Sequence, residues 1–138
     1  MDMSKAVTEW MAAAIALTAI VGCGGPVHEC VEGNVTFDGK LVDGGTISFI
    51  PTSGQSASGA WGDITAGKYS LPAGRGPVAG TYRVEIRWMR ATGRMVSGFG
   101  TQAPELASVI PSRYNQSSEL KASITPGKNQ CDFAITSR

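Results

Sequence analysis

Apolar and polar residues alternate with period two along most of the chain beyond residue 30. Successive side chains of a β-strand point to opposite faces, so such runs predict half-buried strands. Val31, Gly33, Val35 and Phe37 alternate with Glu32, Asn34, Thr36 and Asp38. Gly33 within that run marks a bulge or a close contact. Asp38-Gly39 is a hairpin signal. Thr46 to Pro51 follows, with Ile47 and Phe49 inward, and then a weaker run from Gly59 to Thr65. Ala66-Gly67 turns the chain into Lys68 to Leu71, where Tyr69 and Leu71 share a face. The cleanest run is Thr81 to Trp88, with Tyr82, Val84, Ile86 and Trp88 inward. Leu120, Ala122 and Ile124 form another, Pro126-Gly127 turns, and Cys131, Phe133 and Ile135 close the series.

About seven short strands punctuated by turns predict an all-β domain, a single antiparallel β-sandwich of the immunoglobulin or prealbumin kind. One polar face per strand argues against a parallel sheet. No segment after residue 22 carries a helical apolar stripe.

The N-terminus follows a different pattern. Trp10 to Gly22 runs thirteen residues without a charge. A spanning helix needs about 20 apolar residues, whereas a shorter run ending in small residues fits a signal segment. Its end, Ile20-Val21-Gly22-Cys23, resembles the lipobox of bacterial lipoproteins. The resemblance implies that Cys23 receives a diacylglycerol, that residues 1–22 are removed as a signal helix, and that the new amino group is acylated. A thiolate is the strong nucleophile that thioether formation needs. Two or three acyl chains would hold the chain on a membrane, since each buried CH₂ contributes about 0.8 kcal/mol. The segment before the apolar run departs from the pattern, with Lys5 set against Asp2 and Glu9. The expected organisation is thus a signal over 1–22, a lipidated Cys and tether over 23–29, and the β-domain over 30–138.

Composition changes this picture mainly by exclusion. The chain has 138 residues and a formal charge of +1, so one domain is expected and nothing suggests nucleic acid. A single His removes most catalytic and metal constellations. No Asp-rich calcium loop occurs. His28-Glu29-Cys30 is expected to lie in a solvated tether. No cofactor and no catalytic residue is expected.

Val31-Glu32-Gly33-Asn34-Val35 through Asp38-Gly39 to Thr46-Ile47-Ser48-Phe49 resembles the opening of carboxypeptidase-regulatory-like, or transthyretin-like, domains. Gly67-Lys68-Tyr69-Ser70-Leu71 resembles the family's hairpin, and Gly80-Thr81-Tyr82-Arg83-Val84 the strand after it. Ile110-Pro111-Ser112-Arg113-Tyr114-Asn115 resembles a late segment of lipoproteins built on this domain. The resemblance implies a sandwich used as an accessory, structural, or protein- or glycan-binding module of the cell envelope, generally without catalysis. Hydrolases of this fold need several His, which this chain lacks.

Two features remain as candidate sites. Cys30 and Cys131 are the thiols left after lipidation, and an oxidising compartment favours a disulfide between them. Their alternation disagrees, because Cys131 shares a face with Phe133 while Cys30 falls opposite Val31. The second is the long connection from Met89 to Ser118, since such loops are often functional. Arg90, Arg94 and Arg113 within it, with Arg83, Arg87 and Trp88 before it, make a candidate site for an anionic lipid headgroup or acidic glycan. The competing expectation is a loop that packs Met95, Phe99 and Tyr114 over a sheet edge.

Overall fold

The computed structural model describes residues 24–52, 54 and 57–138. The signal segment 1–22 and Cys23 lie outside the described residues. The strands are β1 (Cys30–Phe37), β2 (Lys40–Leu41), β3 (Thr46–Pro51), β4 (Ala60–Asp63), β5 (Lys68–Leu71), β6 (Gly80–Arg87), β7 (Met89–Gly98), β8 (Thr101–Ser108), β9 (Lys121–Ile124), β10 (Lys128–Gln130) and β11 (Phe133–Ile135). A 3-10 turn covers Ser112–Tyr114, and no α-helix occurs among the described residues. The all-β expectation holds. Among the described residues the strands number eleven rather than seven, and they fall into three sheets.

In the first sheet β1 is central. Its first half lies between β5 and β10, and its second half between β2 and β11. The second sheet is antiparallel in the order β4-β3-β6-β9. Both contribute to one apolar core. Val31, Val35, Tyr69, Leu71 and Ile135 come from the first, and Ile47, Phe49, Tyr82, Val84, Ile86 and Ile124 from the second. Phe49 joins them, its ring 6.1 Å from Tyr69 and 6.4 Å from Tyr82. The period-two pattern located these residues because burial follows it strand by strand.

Two expectations about the sheets need correction. β1 pairs with β10 and β11 in parallel, not antiparallel. Alternation reports that a strand has one polar face, and nothing about its neighbour's direction. The first and last strands are not joined by a hairpin, so connectivity leaves their direction free. Second, the run expected over Cys131 to Thr136 is broken. β10 and β11 are two pieces of one path, interrupted at Cys131-Asp132 opposite Gly33. A Cβ on Gly33 would sit 1.8 Å from the Cys131 carbonyl oxygen. Close backbone approach is therefore the reason for that glycine.

Three turns share one geometry. Asp38-Gly39, Ala66-Gly67 and Phe99-Gly100 each place two consecutive residues at positive φ, near +50° and then +74° to +82°. This is the requirement of the two-residue type I′ hairpin.

Candidate functional site

His28 and Glu29 do not belong to a solvated tether. His28 bridges to Val78, and its Nδ1–H donates to the Gly76 carbonyl at 2.7 Å. The Glu29 amide donates to Pro77, and its buried carboxylate accepts from the Gly127 amide at 2.7 Å. The chain's entry is thus pinned beside the loop that leads into β6. Residues 24–27 remain exposed ahead of it.

β6 runs from that pole to the other. It begins next to Val78, whose carbonyl accepts the Tyr82 hydroxyl at 2.7 Å. Eight residues at about 3.3 Å each carry it ~26 Å to Arg87. There Trp88 is half-buried against the core, and the Val109 amide donates to its carbonyl at 2.9 Å. Between Trp88 and Val109 the chain leaves the body as the β7–β8 ribbon, paired with itself and with no other strand.

The connection expected as a long loop is therefore a hairpin. Met95 and Phe99 do not cover a sheet edge. They are 57% and 111% exposed. Tyr114 does pack against the core. The alternation of Met89, Ala91 and Met95 against Arg90, Thr92 and Arg94 could have revealed the hairpin. Gly93, Gly98 and Pro104 obscured it, being poor strand residues in general but tolerated on free edges.

Register divides the ribbon into two faces, since residues directly opposite share a face. On one, Met89 pairs with Ser108, Ala91 with Leu106, Met95 with Pro104 and Ser97 with Gln102. That face carries no charge, and its Met89, Met95 and Leu106 are all more than half exposed. The other carries Arg90 opposite Ala107, and Glu105 opposite a bulge. Thr92 Oγ1 donates to Glu105 Oε2 at 2.7 Å, and Arg94 Nε lies 3.7 Å from the same oxygen. From Met95 to Pro104 no residue is charged. Phe99 stands at the apex with φ +50°.

The candidate arginines meet local partners, and two of them share one. Arg83 and Arg87 flank the buried Glu85 at 2.9 Å each, on β6. Arg90 stacks 5.2 Å from the Trp88 ring. Arg94 belongs to Glu105. Arg113 donates to the Thr136 carbonyl at 2.6 Å and stacks 4.8 Å from the Tyr114 ring. The Tyr114 hydroxyl, bonded to Thr136 and near Arg113, has its pKa pulled down to about 8.

Cys30 and Cys131 are both free thiols. Cys30 lies opposite Lys128, whereas Cys131 lies three residues further along, opposite Gly33. That offset is about 10 Å along the strands, beyond the reach of a disulfide. The structure leaves the two thiols unbridged. Burial raises the Cys131 thiol's pKa, and Asp132 raises it further. Among the described residues, no group of three or more His, Cys, Asp or Glu is placed to hold a metal.

A polar cleft of about 530 Å³ is lined by residues including Asn34, Lys68 and Gln130 of the first sheet and Asp63 of the second. It contains none of the candidate arginines. The chain matches no protein-family model, and none of the curated proteins compared with it matches either.

Proposed function

We propose that the chain is a non-catalytic envelope lipoprotein whose β-domain binds another protein chain through the β7–β8 ribbon. In this reading Cys23 carries the lipid and 24–27 form the tether. The body is a transthyretin-like sandwich, supported by the resemblance of Val31 to Phe49 and by two sheets enclosing one core. The observation that carries the binding role is the ribbon itself. A two-stranded hairpin without a core is marginal in water. This one leaves Met89, Met95 and Leu106 exposed on one uncharged face, and an exposed apolar patch is the mark of an interaction surface.

Phe99 adds to it. The first position of a type I′ turn favours Asn, Asp or Gly, and an ordinary residue held there costs about 1–2 kcal/mol. The chain accepts that cost to hold an aromatic ring in solvent. Protein suits the ribbon better than lipid, because both of its edges present unpaired backbone groups that hydrocarbon cannot satisfy. The reading of an anionic ligand has no comparable support, since each arginine already meets a local partner.

Labelled palmitate fed to cells that express the full chain or Cys23→Ala tests the anchor. Label and membrane fractionation confined to the parent are expected. A parent chain that is unlabelled and keeps residues 1–22 would overturn the lipoprotein reading.

A further inference from the structure

The polar cleft spans the outward face of the first sheet and the end of β4, and no residue of the ribbon lines it. Strands β10, β1 and β5 lie side by side there. Register sets Glu32 between Gln130 and Ser70, and Asn34 opposite Lys68. Directly opposite residues share a face, as do residues two apart along a strand. These side chains therefore point away from the face on which Val31, Val35, Tyr69 and Leu71 enter the core. Asp63 joins them from β4. The volume of about 530 Å³ lies within the roughly 300–1,000 Å³ of small-ligand sites. Apart from the buried Tyr69, no apolar side chain lines it.

Its charges are not spent within the protein. Unlike the arginines, Glu32, Asp63 and Lys68 form no side-chain hydrogen bond or ion pair with any described residue. The amides are oriented by Asp132, which accepts from Gln130 Nε2 at 2.9 Å and from Asn34 Nδ2 at 3.4 Å. A carboxylate only accepts, so each amide turns its nitrogen toward Asp132 and keeps its carbonyl oxygen unbonded. The cleft thus offers two carboxylates and two amide oxygens as acceptors, against the single ammonium of Lys68.

We propose that the cleft binds a basic amino acid, free or at the C-terminus of a short peptide. Cationic groups of the ligand meet Glu32 and Asp63, and its carboxylate meets Lys68. A simple anion would face two carboxylates and one ammonium. A diamine would leave Lys68 facing like charge, and a neutral sugar would give all three charges dipoles in place of ions. A ligand with both signs and a net positive charge matches the set. Glu32 and Lys68 stand on the diagonal of a strand pair, roughly 7–8 Å apart, a gap that one amino acid spans. Exposed ion pairs are weak one by one and are screened by salt, so the affinity is modest and falls with ionic strength. Neither the ribbon nor the lipid anchor enters this inference.

The test is an NMR titration of the full chain, read at the side-chain amides of Asn34 and Gln130. The probes are L-lysine, the dipeptide Gly-Lys, cadaverine, L-glutamate and maltose. L-lysine or Gly-Lys is expected to shift both amides, and the tighter of the two names the source. Cadaverine, which is lysine without its carboxylate, is expected to bind about fivefold more weakly, as loss of one exposed ion pair allows. Glutamate and maltose are expected to leave both amides in place. Lys68→Met is expected to abolish the preference for lysine over cadaverine. Glu32→Gln combined with Asp63→Asn is expected to weaken both amines about tenfold. All three side chains are exposed, so these changes leave the core intact. Amides that stay in place with L-lysine and Gly-Lys at about 10 mM overturn the proposal. So does cadaverine, glutamate or maltose bound as tightly as lysine, or a preference for lysine that survives Lys68→Met.

Discussion

The Tyr69 hydroxyl donates to the Cys131 backbone carbonyl at 2.6 Å, tying β5 to the break between β10 and β11. Burial pushes the phenol's pKa far above its ordinary value, with Cys131 and Asp132 adding to the shift. The raised pKa keeps the phenol protonated, as donation requires. Tyr69→Phe leaves that carbonyl without its donor and is expected to cost about 1–2 kcal/mol. Urea unfolding would read this as a lower midpoint at unchanged slope.

Gly33 faces the same carbonyl. Gly33→Ala forces backbone against backbone, since the obstacle is not a flexible side chain. A loss of about 3 kcal/mol is expected, at the upper end for overpacking. A melting temperature within a degree of the parent would show that the break in the last strand can move aside.

Phe99→Asn separates folding from recognition. Asn suits the left-handed first position of the Phe99-Gly100 turn, so the ribbon gains up to about 1 kcal/mol. Hydrogen exchange is expected to slow across 95–104 while the rest of the domain is unchanged. Capture of the ribbon's partner is expected to weaken in the same variant.

Tyr114 titrates early. Its pKa is drawn down to about 8 by hydrogen bonding to Thr136 and by Arg113. A tyrosine whose folded pKa lies below its unfolded value of about 10 stabilises the fold above that unfolded value. The stabilisation is lost as pH falls through about 8. Stability is therefore expected to rise between pH 8 and 10, with the phenolate band near 295 nm appearing over the lower part of that window. Thr136→Val removes the larger cause and is expected to move the band upward.

Alkylation before and after reduction checks the cysteines. Cys30 and Cys131 are expected to react under denaturing conditions without any reductant, as free thiols do. Protection lifted only by reductant would require the first and last strands to slide by three residues.

Much of the body was legible because its strands alternate cleanly and are buried on one face. Lys68–Leu71 was bounded to the residue, and Asp38-Gly39 forms the expected turn. β10 was missed because Lys128, Asn129 and Gln130 carry no apolar signal. Asn129 is buried through hydrogen bonds to Thr125, Gly127 and Cys30 rather than through hydrophobicity. The parallel pairing of β1 was hidden because side-chain alternation carries no information on strand direction. Of the candidate site, the arginines drew attention by charge, yet each is held by a local partner. Met89, Met95, Phe99 and Leu106 were harder to find, because nothing in a sequence distinguishes an apolar residue left in water from one that is packed.

The place of the last strand also governs when the domain can form. Cys30 and Asn129 are bonded across a separation of 99 residues, and Asp38 receives the amide of Ser137 across the same span. One flank of β1 stays open until β10 and β11 have been made. Contacts of such long range close late in folding. A chain cut short before Lys128 would thus lack the piece that seals β1.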